Sequence, residues 1–202
     1  MNLNHSCRYL LPLLLFAYIS SSRAQFIRHI RLLAGVSNAT QDIISDNQSE
    51  PWFQWKRGSD FGLSIELFDH PILSALAEVH VVRKGFKPNY PVIVNSDLDY
   101  LSLYLMPKVR AQVSIFEIFC FIGPRYDIIV SRNGRVFSPL FNSFPPIDWG
   151  ATMGIGFEFR IISILSVGIE VRYSPSFRKM ESNVTPDKFK NKSYEFVAIL
   201  VF

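Results

Sequence analysis

The stretch Ile147-Asp148-Trp149-Gly150-Ala151-Thr152-Met153-Gly154-Ile155-Gly156-Phe157-Glu158-Phe159-Arg160 decides the fold. Ile147, Trp149, Ala151, Met153, Ile155, Phe157 and Phe159 share one parity; Asp148, Gly150, Thr152, Gly154, Gly156, Glu158 and Arg160 share the other. Side chains of a β-strand point alternately to its two faces, so this run presents one wholly apolar face and one polar, glycine-rich face. A half-buried strand averages about five or six residues, whereas crossing a membrane at a barrel's tilt takes about 9–11. This run is long enough to cross.

The alternation recurs along the chain. Leu101, Leu103, Leu105, Pro107, Val109, Ala111 and Val113 oppose Tyr100, Ser102, Tyr104, Met106, Lys108, Arg110 and Gln112. Leu165 to Tyr173, Phe61 to Leu67, Leu73 to Val81 and Phe116 to Tyr126 repeat it. A weaker strand runs from about Ile30, with Arg31, Gly35 and Ser37 on its polar side, and the last, from about Ser193 to Phe202, is apolar on both parities apart from Glu195. That makes eight strands. The gaps alternate between long (38–59, 85–97, 131–146, 175–191) and tight (Asp69-His70-Pro71, near Ser114, Ile161 to Ser163). Long loops at one end, tight turns at the other and an even strand number define a closed antiparallel transmembrane barrel of the bacterial outer membrane, with short periplasmic turns and longer outward loops.

A soluble eight-stranded barrel of the lipocalin kind alternates too, but it turns its apolar parity inward and covers its water-facing parity with Lys and Glu. Here the polar parity combines Gly62, Gly123, Gly150, Gly154, Gly156 and Gly168 with single Arg and Glu residues. That composition suits a crowded lumen in which small residues make room for paired charges, with the large apolar parity against lipid.

Residues 1–24 read as an export signal: Arg8, an apolar run from Leu10 to Ile19, and Ser22-Arg23-Ala24 as a small-x-small cleavage site before Gln25. The apolar run is too short for a membrane helix, which needs about 20 residues. The barrel domain is then 25–202. Of the 202 residues 49% are hydrophobic and 19% charged, which excludes a disordered polymer. Removing Arg8 and Arg23 lowers 21 basic residues to 19 against 17 acids, a net of +2, and no run of like charge points to nucleic acid. Cys7 leaves with the signal, Cys120 has no intramolecular partner, and without C-x-x-C or a Cys/His cluster no metal or other cofactor is expected.

Glu78-Val79-His80-Val81-Val82-Arg83-Lys84-Gly85 resembles the "E-L-x-Y-x-x-K-G" strand end of the PorT-like outer-membrane β-barrel proteins of Bacteroidetes. Tyr100-Leu101-Ser102-Leu103-Tyr104-Leu105 resembles their "Y-L-E-I-P-L" strand, Gly123-Pro124 their "G-P", Trp149-Gly150 to Gly156 their "f-G-x-x-x-G-x-G", and Glu170-Val171-Arg172-Tyr173 their "E-x-R-Y". The motifs follow family order from about Leu32 to Phe202; Ser102, Tyr104 and His80 depart from it. The resemblance implies an outer-membrane barrel, and for some family members support of type IX secretion and gliding.

An eight-stranded lumen is just wide enough for side chains, so it is expected to be plugged. Its charges, including Glu78, Asp127, Glu158 and Glu170 against Lys108, Arg110, Arg125 and Arg172, are expected to pair as a structural network, because an unpaired buried charge is costly. Arg31, Glu66, Asp148, Arg160 and Glu195 belong to the same inward set. An enzymatic alternative, a small lipid-modifying hydrolase, would need a nucleophile beside a base, and only His80 with Ser64 or Ser102 on neighbouring strands could supply one. No motif marks either serine, and the chain reads as a non-enzymatic monomer.

Trp52 and Trp55, with Lys56 and Arg57, are candidate contacts for lipopolysaccharide or a protein partner. Phe202, preceded at alternate positions by Leu200, Ala198, Phe196 and Tyr194, resembles the signal read by the barrel-assembly machinery.

Overall fold

The computed structural model describes residues 27–44, 53–68, 70–88, 96–134, 145–178, 180–181 and 188–202. The proposed signal segment, Trp52 and most of the third long loop lie outside these residues. Eight long strands run β1 (Ile27–Ile44), β2 (Lys56–Leu67), β3 (Leu73–Pro88), β4 (Ser96–Val113), β5 (Phe116–Gly134), β6 (Ile147–Ile162), β7 (Leu165–Pro175) and β8 (Lys188–Val201). Each pairs antiparallel with the next, and β8 returns to pair with β1 from Arg31↔Val201 to Ile44↔Lys188. Ile30 and Phe202 exchange two backbone hydrogen bonds of 2.8 and 3.1 Å at the foot of that seam. The sheet is a closed eight-stranded antiparallel barrel. Two-residue strands at Phe53–Gln54 and Met180–Glu181 pair with the ends of β3 and β8.

The strands extend further at the long-loop end than their apolar alternation indicates. β1 continues to Ile44 and β2 begins at Lys56, so both enter the stretch expected as the first long loop; β3, β5 and β8 lengthen similarly. The ladder of backbone hydrogen bonds needs no apolar face. The sequence signal therefore fades before the strand does. At the other end the chain reverses through Ser114, which carries a positive φ of 59°, through Phe68 (φ 66°) and through Ser163 and Ile164.

One parity faces out and is apolar: Ile155 and Ile169 are about two-thirds exposed (65% and 64%), joined by Phe61, Leu105, Ile122 and Phe196. The other encloses Arg31, Lys108, Arg172, Glu66 and Glu195, each at 0%. This is the reverse of a lipocalin-like barrel, and removes that alternative.

Two aromatic groups, Trp149 with Phe177 (5.6 Å between centroids) and Tyr194 with Trp55 and Tyr173 (5.4 and 4.9 Å), lie on the outer surface near the long-loop end. Phe116, Phe157 and Phe159 cluster near the tight turns at 5.3–5.4 Å. Trp149 and Phe159 lie ten residues apart on β6. At about 3.3 Å per residue and a tilt of about 40°, that separation is roughly 25 Å along the barrel axis, the height of an apolar transmembrane band between two aromatic girdles.

Ile155 stands about midway between these levels. Its replacement by Arg is expected to cost about 2–4 kcal/mol in a bilayer, read as a lower urea midpoint for barrels folded into lipid vesicles; the charge-conserving Arg57→Lys, at an exposed site outside the band, should leave the midpoint unchanged.

Candidate functional site

The lumen is the site that the fold builds. Lysines and arginines there have long stems that reach across the barrel, so residues far apart in sequence meet. Arg31 on β1 donates to Glu78 on β3 (3.3 Å), Glu158 on β6 (3.2 Å) and Glu170 on β7 (3.2 Å). Arg172 on β7 holds Glu78 at 2.7 Å and also donates to Glu170 through Nε (2.5 Å) and Nη2. Two guanidiniums and three carboxylates thereby tie four strands together across the middle of the barrel.

Towards the tight turns, Lys108 reaches Glu117 (2.7 Å), Glu66 (3.2 Å) and Glu158 (3.4 Å), while Arg110 donates to Glu66 and to the backbone carbonyls of His70 and Pro71. Towards the long loops, Asp127 accepts from Lys84 (2.9 Å) and lies 3.0 Å from Arg125 Nε, and Arg125 also donates to the Ser174 carbonyl (2.9 Å). Glu78, Lys108, Arg110, Arg125, Asp127, Glu158, Glu170 and Arg172 are all buried here. Arg160 is not: it is exposed at the mouth near the tight turns, where β6 is about to leave the barrel wall.

Several members of the network lie beyond the alternating apolar stretches. Asp60 continues the parity of Gly62, Ser64 and Glu66, and Lys84 that of Glu78 and His80; extending each strand by period two finds both. Glu117 and Arg28 join at the turn end. Aromatic rings also fill the lumen. Phe119 has Lys108 Nζ 4.2 Å and Arg31 5.4 Å from its centroid; Phe121 and Tyr104 flank Arg172 at 5.3 and 5.6 Å. These contacts lower the cost of enclosing the cations.

Three of the lumenal glycines make room for rings, while Gly123, Gly150 and Gly168 lie closest to backbone carbonyls of the neighbouring strand. A Cβ on Gly156 would stand 2.1 Å from Phe119, one on Gly154 2.5 Å from Phe121, and one on Gly62 2.5 Å from the His80 imidazole.

His80 is fully enclosed. Its Nδ1 donates to Asp60 Oδ1 (2.7 Å) and its Nε2 to Glu78 Oε2 (3.1 Å), with the Tyr104 ring edge-on at 5.0 Å. Both nitrogens face carboxylates, so neither offers a lone pair to a hydroxyl. Ser64 and Ser102 stand opposite Glu78 and His80 in the ladders, but the geometry of a serine activated by His80 is missing. Among the described residues, no group of three or more His, Cys, Asp or Glu side chains converges to hold a metal ion.

No protein-family model matches the sequence, and no curated protein matches it. Solved structures do. The outer membrane protein OprG of Pseudomonas aeruginosa aligns over 86% of this chain and 95% of its own, with a TM-score of 0.58 and 12% identity. Neisserial surface protein A aligns over 88% and 97%, with a TM-score of 0.56 and 11% identity. At this identity the likeness is one of fold.

Glu78 receives Arg31, Arg172 and His80 at once. Glu78→Ala leaves buried cations without their shared acceptor and is expected to lower unfolding stability by about 3–5 kcal/mol, while Gly62→Ala, which pushes into the His80 ring, should cost about 1–3 kcal/mol. Urea titration of vesicle-folded barrels followed by tryptophan fluorescence measures both.

Proposed function

We propose that this chain is an integral, non-enzymatic protein of the bacterial outer membrane, its lumen plugged by its own side chains, and that it acts through the surface of its outward end. The inversion of faces carries the reading: apolar side chains out, paired charges in, with aromatic levels roughly 25 Å apart. A soluble protein rarely exposes so continuous an apolar belt. The fold shared with OprG and Neisserial surface protein A, both named as outer-membrane or surface proteins, supports the location.

The outward collar supports the mode of action. Trp55 stacks near Tyr194 (5.4 Å), Tyr194 near Tyr173 (4.9 Å), and Lys192 Nζ stands 5.8 Å from the Trp55 ring. Aromatic bodies with cationic tips at this level match a lipopolysaccharide surface of acyl chains beneath phosphates. Trp52 lies outside the described residues and is proposed, from the sequence, as a contact residue alongside Trp55. The exposed, outward Phe202 at the β1–β8 seam is proposed as the mark read by the barrel-assembly machinery, and the chain as a monomer. The ordered PorT-like motifs favour a place in a type IX-like secretion assembly.

Catalysis is disfavoured because His80, the only enclosed histidine among the described residues, has both nitrogens facing carboxylates. Complementation of a deletion strain separates the readings. Trp52→Ala with Trp55→Ala should impair function and weaken lipopolysaccharide retention during purification while the barrel still assembles; His80→Ala, wherever it assembles, should complement. A functional tryptophan pair with an inactive, assembled His80→Ala barrel reverses the conclusion. Recovery of the chain in the soluble periplasmic fraction refutes the membrane assignment.

A further inference from the structure

The end of the barrel with the tight turns combines two features that the lumenal network does not use. The first is a set of apolar turn tips. Tight turns in water favour Gly, Asn, Asp, Ser and Pro, yet here Ile164 is 73% exposed, and Phe68, Ile72, Ile115 and Ile162 are exposed as well. Ile162 lies three residues beyond the aromatic level at Phe159, roughly 8 Å along the axis at the strand rise and tilt used above. The headgroup layer on each side of a bilayer is about 5–8 Å deep. The tips therefore reach the headgroup layer rather than open water.

The second is a cavity of about 450 Å³ opening between those tips, walled by Ile115, Ile164, Leu165, Val201 and Phe202 and by the polar Arg28, Gln112, Arg160, Ser163 and Ser166. Its charges do not cancel locally. Glu117 and Glu158 line it, but Lys108 holds both and Arg31 also holds Glu158. Arg28 donates to Glu66 (3.3 Å), which already serves Lys108 and Arg110. The Arg160 backbone N–H donates to the Ile115 carbonyl (2.9 Å), but its guanidinium has no hydrogen-bond or ion-pair partner among the described residues. One uncommitted guanidinium thus faces a partly apolar cavity at headgroup depth.

We infer that this mouth binds the phosphate of an anionic phospholipid from the inner leaflet, with Arg160 donating to the phosphate oxygens, Arg28 adding positive potential, and Ile115, Ile164 and Leu165 seating the apolar part below the headgroup. A guanidinium presents paired donors that suit phosphate geometry, and the apolar tips bring lipid to it. The inference rests on the membrane orientation proposed above.

The test uses isotopically labelled full-length barrel in zwitterionic micelles, titrated with diheptanoyl phosphatidylglycerol, diheptanoyl phosphatidylcholine or sn-glycerol 1-phosphate. Phosphatidylglycerol should shift the amide resonances of Gln112 to Glu117 and Ser163 to Ser166, leave those of the outward strand ends still, and bind about ten-fold more tightly than phosphatidylcholine. Arg160→Gln should erase that preference and Arg160→Lys should keep part of it; Arg160 is exposed, so both variants should fold. Equal binding of the two lipids, an unchanged preference in Arg160→Gln, or shifts confined to the outward end overturns the inference. Equal binding of sn-glycerol 1-phosphate also overturns it, by making the ligand a soluble anion. Heat-modifiable migration of the same samples reads barrel formation itself, so a failure of the membrane-barrel reading is distinguished from a failure of this one.

Discussion

The closed hydrogen-bond ladder between β1 and β8 is the constraint on which everything else rests. Closing the sheet removes its edges, which no lipid environment can satisfy. It also encloses one parity of every strand in a space only side chains can fill. Once the barrel closes, each lumenal group must find its partner there. Arg31 and Arg172 do so by sharing Glu78 and Glu170, so that β1, β3 and β7 are joined through the interior as well as around the wall.

The interior is layered. Near the tight turns Glu66 collects Arg28, Lys108 and Arg110; at the middle the two guanidiniums lie among carboxylates and the rings of Phe119, Phe121 and Tyr104; towards the long loops Asp60, His80, Lys84, Asp127 and Arg125 continue the network. Apolar side chains such as Leu76, Met106 and Ile199 complete the packing between charged layers. Ring and cation share a layer at Phe119 and Phe121 because the neighbouring strand carries a glycine opposite each, Gly156 and Gly154.

The two mouths differ for the same reason. Towards the long loops, strands leave the apolar band yet remain paired, and exposed ion pairs such as Arg83 with Asp99 (2.7 Å) decorate them. Surface pairs of that kind contribute little stability and leave the collar to act as a contact surface. At the opposite mouth the strands stop at the band's edge, so the turns stay apolar and Arg160, on the lumenal parity, emerges beyond the last carboxylate that could hold it.

Strand count, facing and the long-short alternation of connections were legible in the sequence because period two is a local property, and a lipid-facing parity shows as Ile155, Phe157 and Phe159 against Gly154, Gly156 and Glu158. The pool of lumenal charges was legible for that reason also. Their partners were not: Arg31 meets Glu170 across 139 positions of chain, a meeting set by the register of every intervening strand pair and by side-chain reach. Strand ends beyond the band leave no hydropathy trace because backbone pairing there needs no apolar face, so Asp60 and Lys84 fall outside the alternating stretches; Arg160 lies on the inward parity, but only the tertiary structure shows that the enclosed lumen ends before it. Sequence alone determined which face each residue takes, since alternation is built into the strand. Closure decided who stands opposite whom, because only the completed barrel brings distant strands within the length of an arginine.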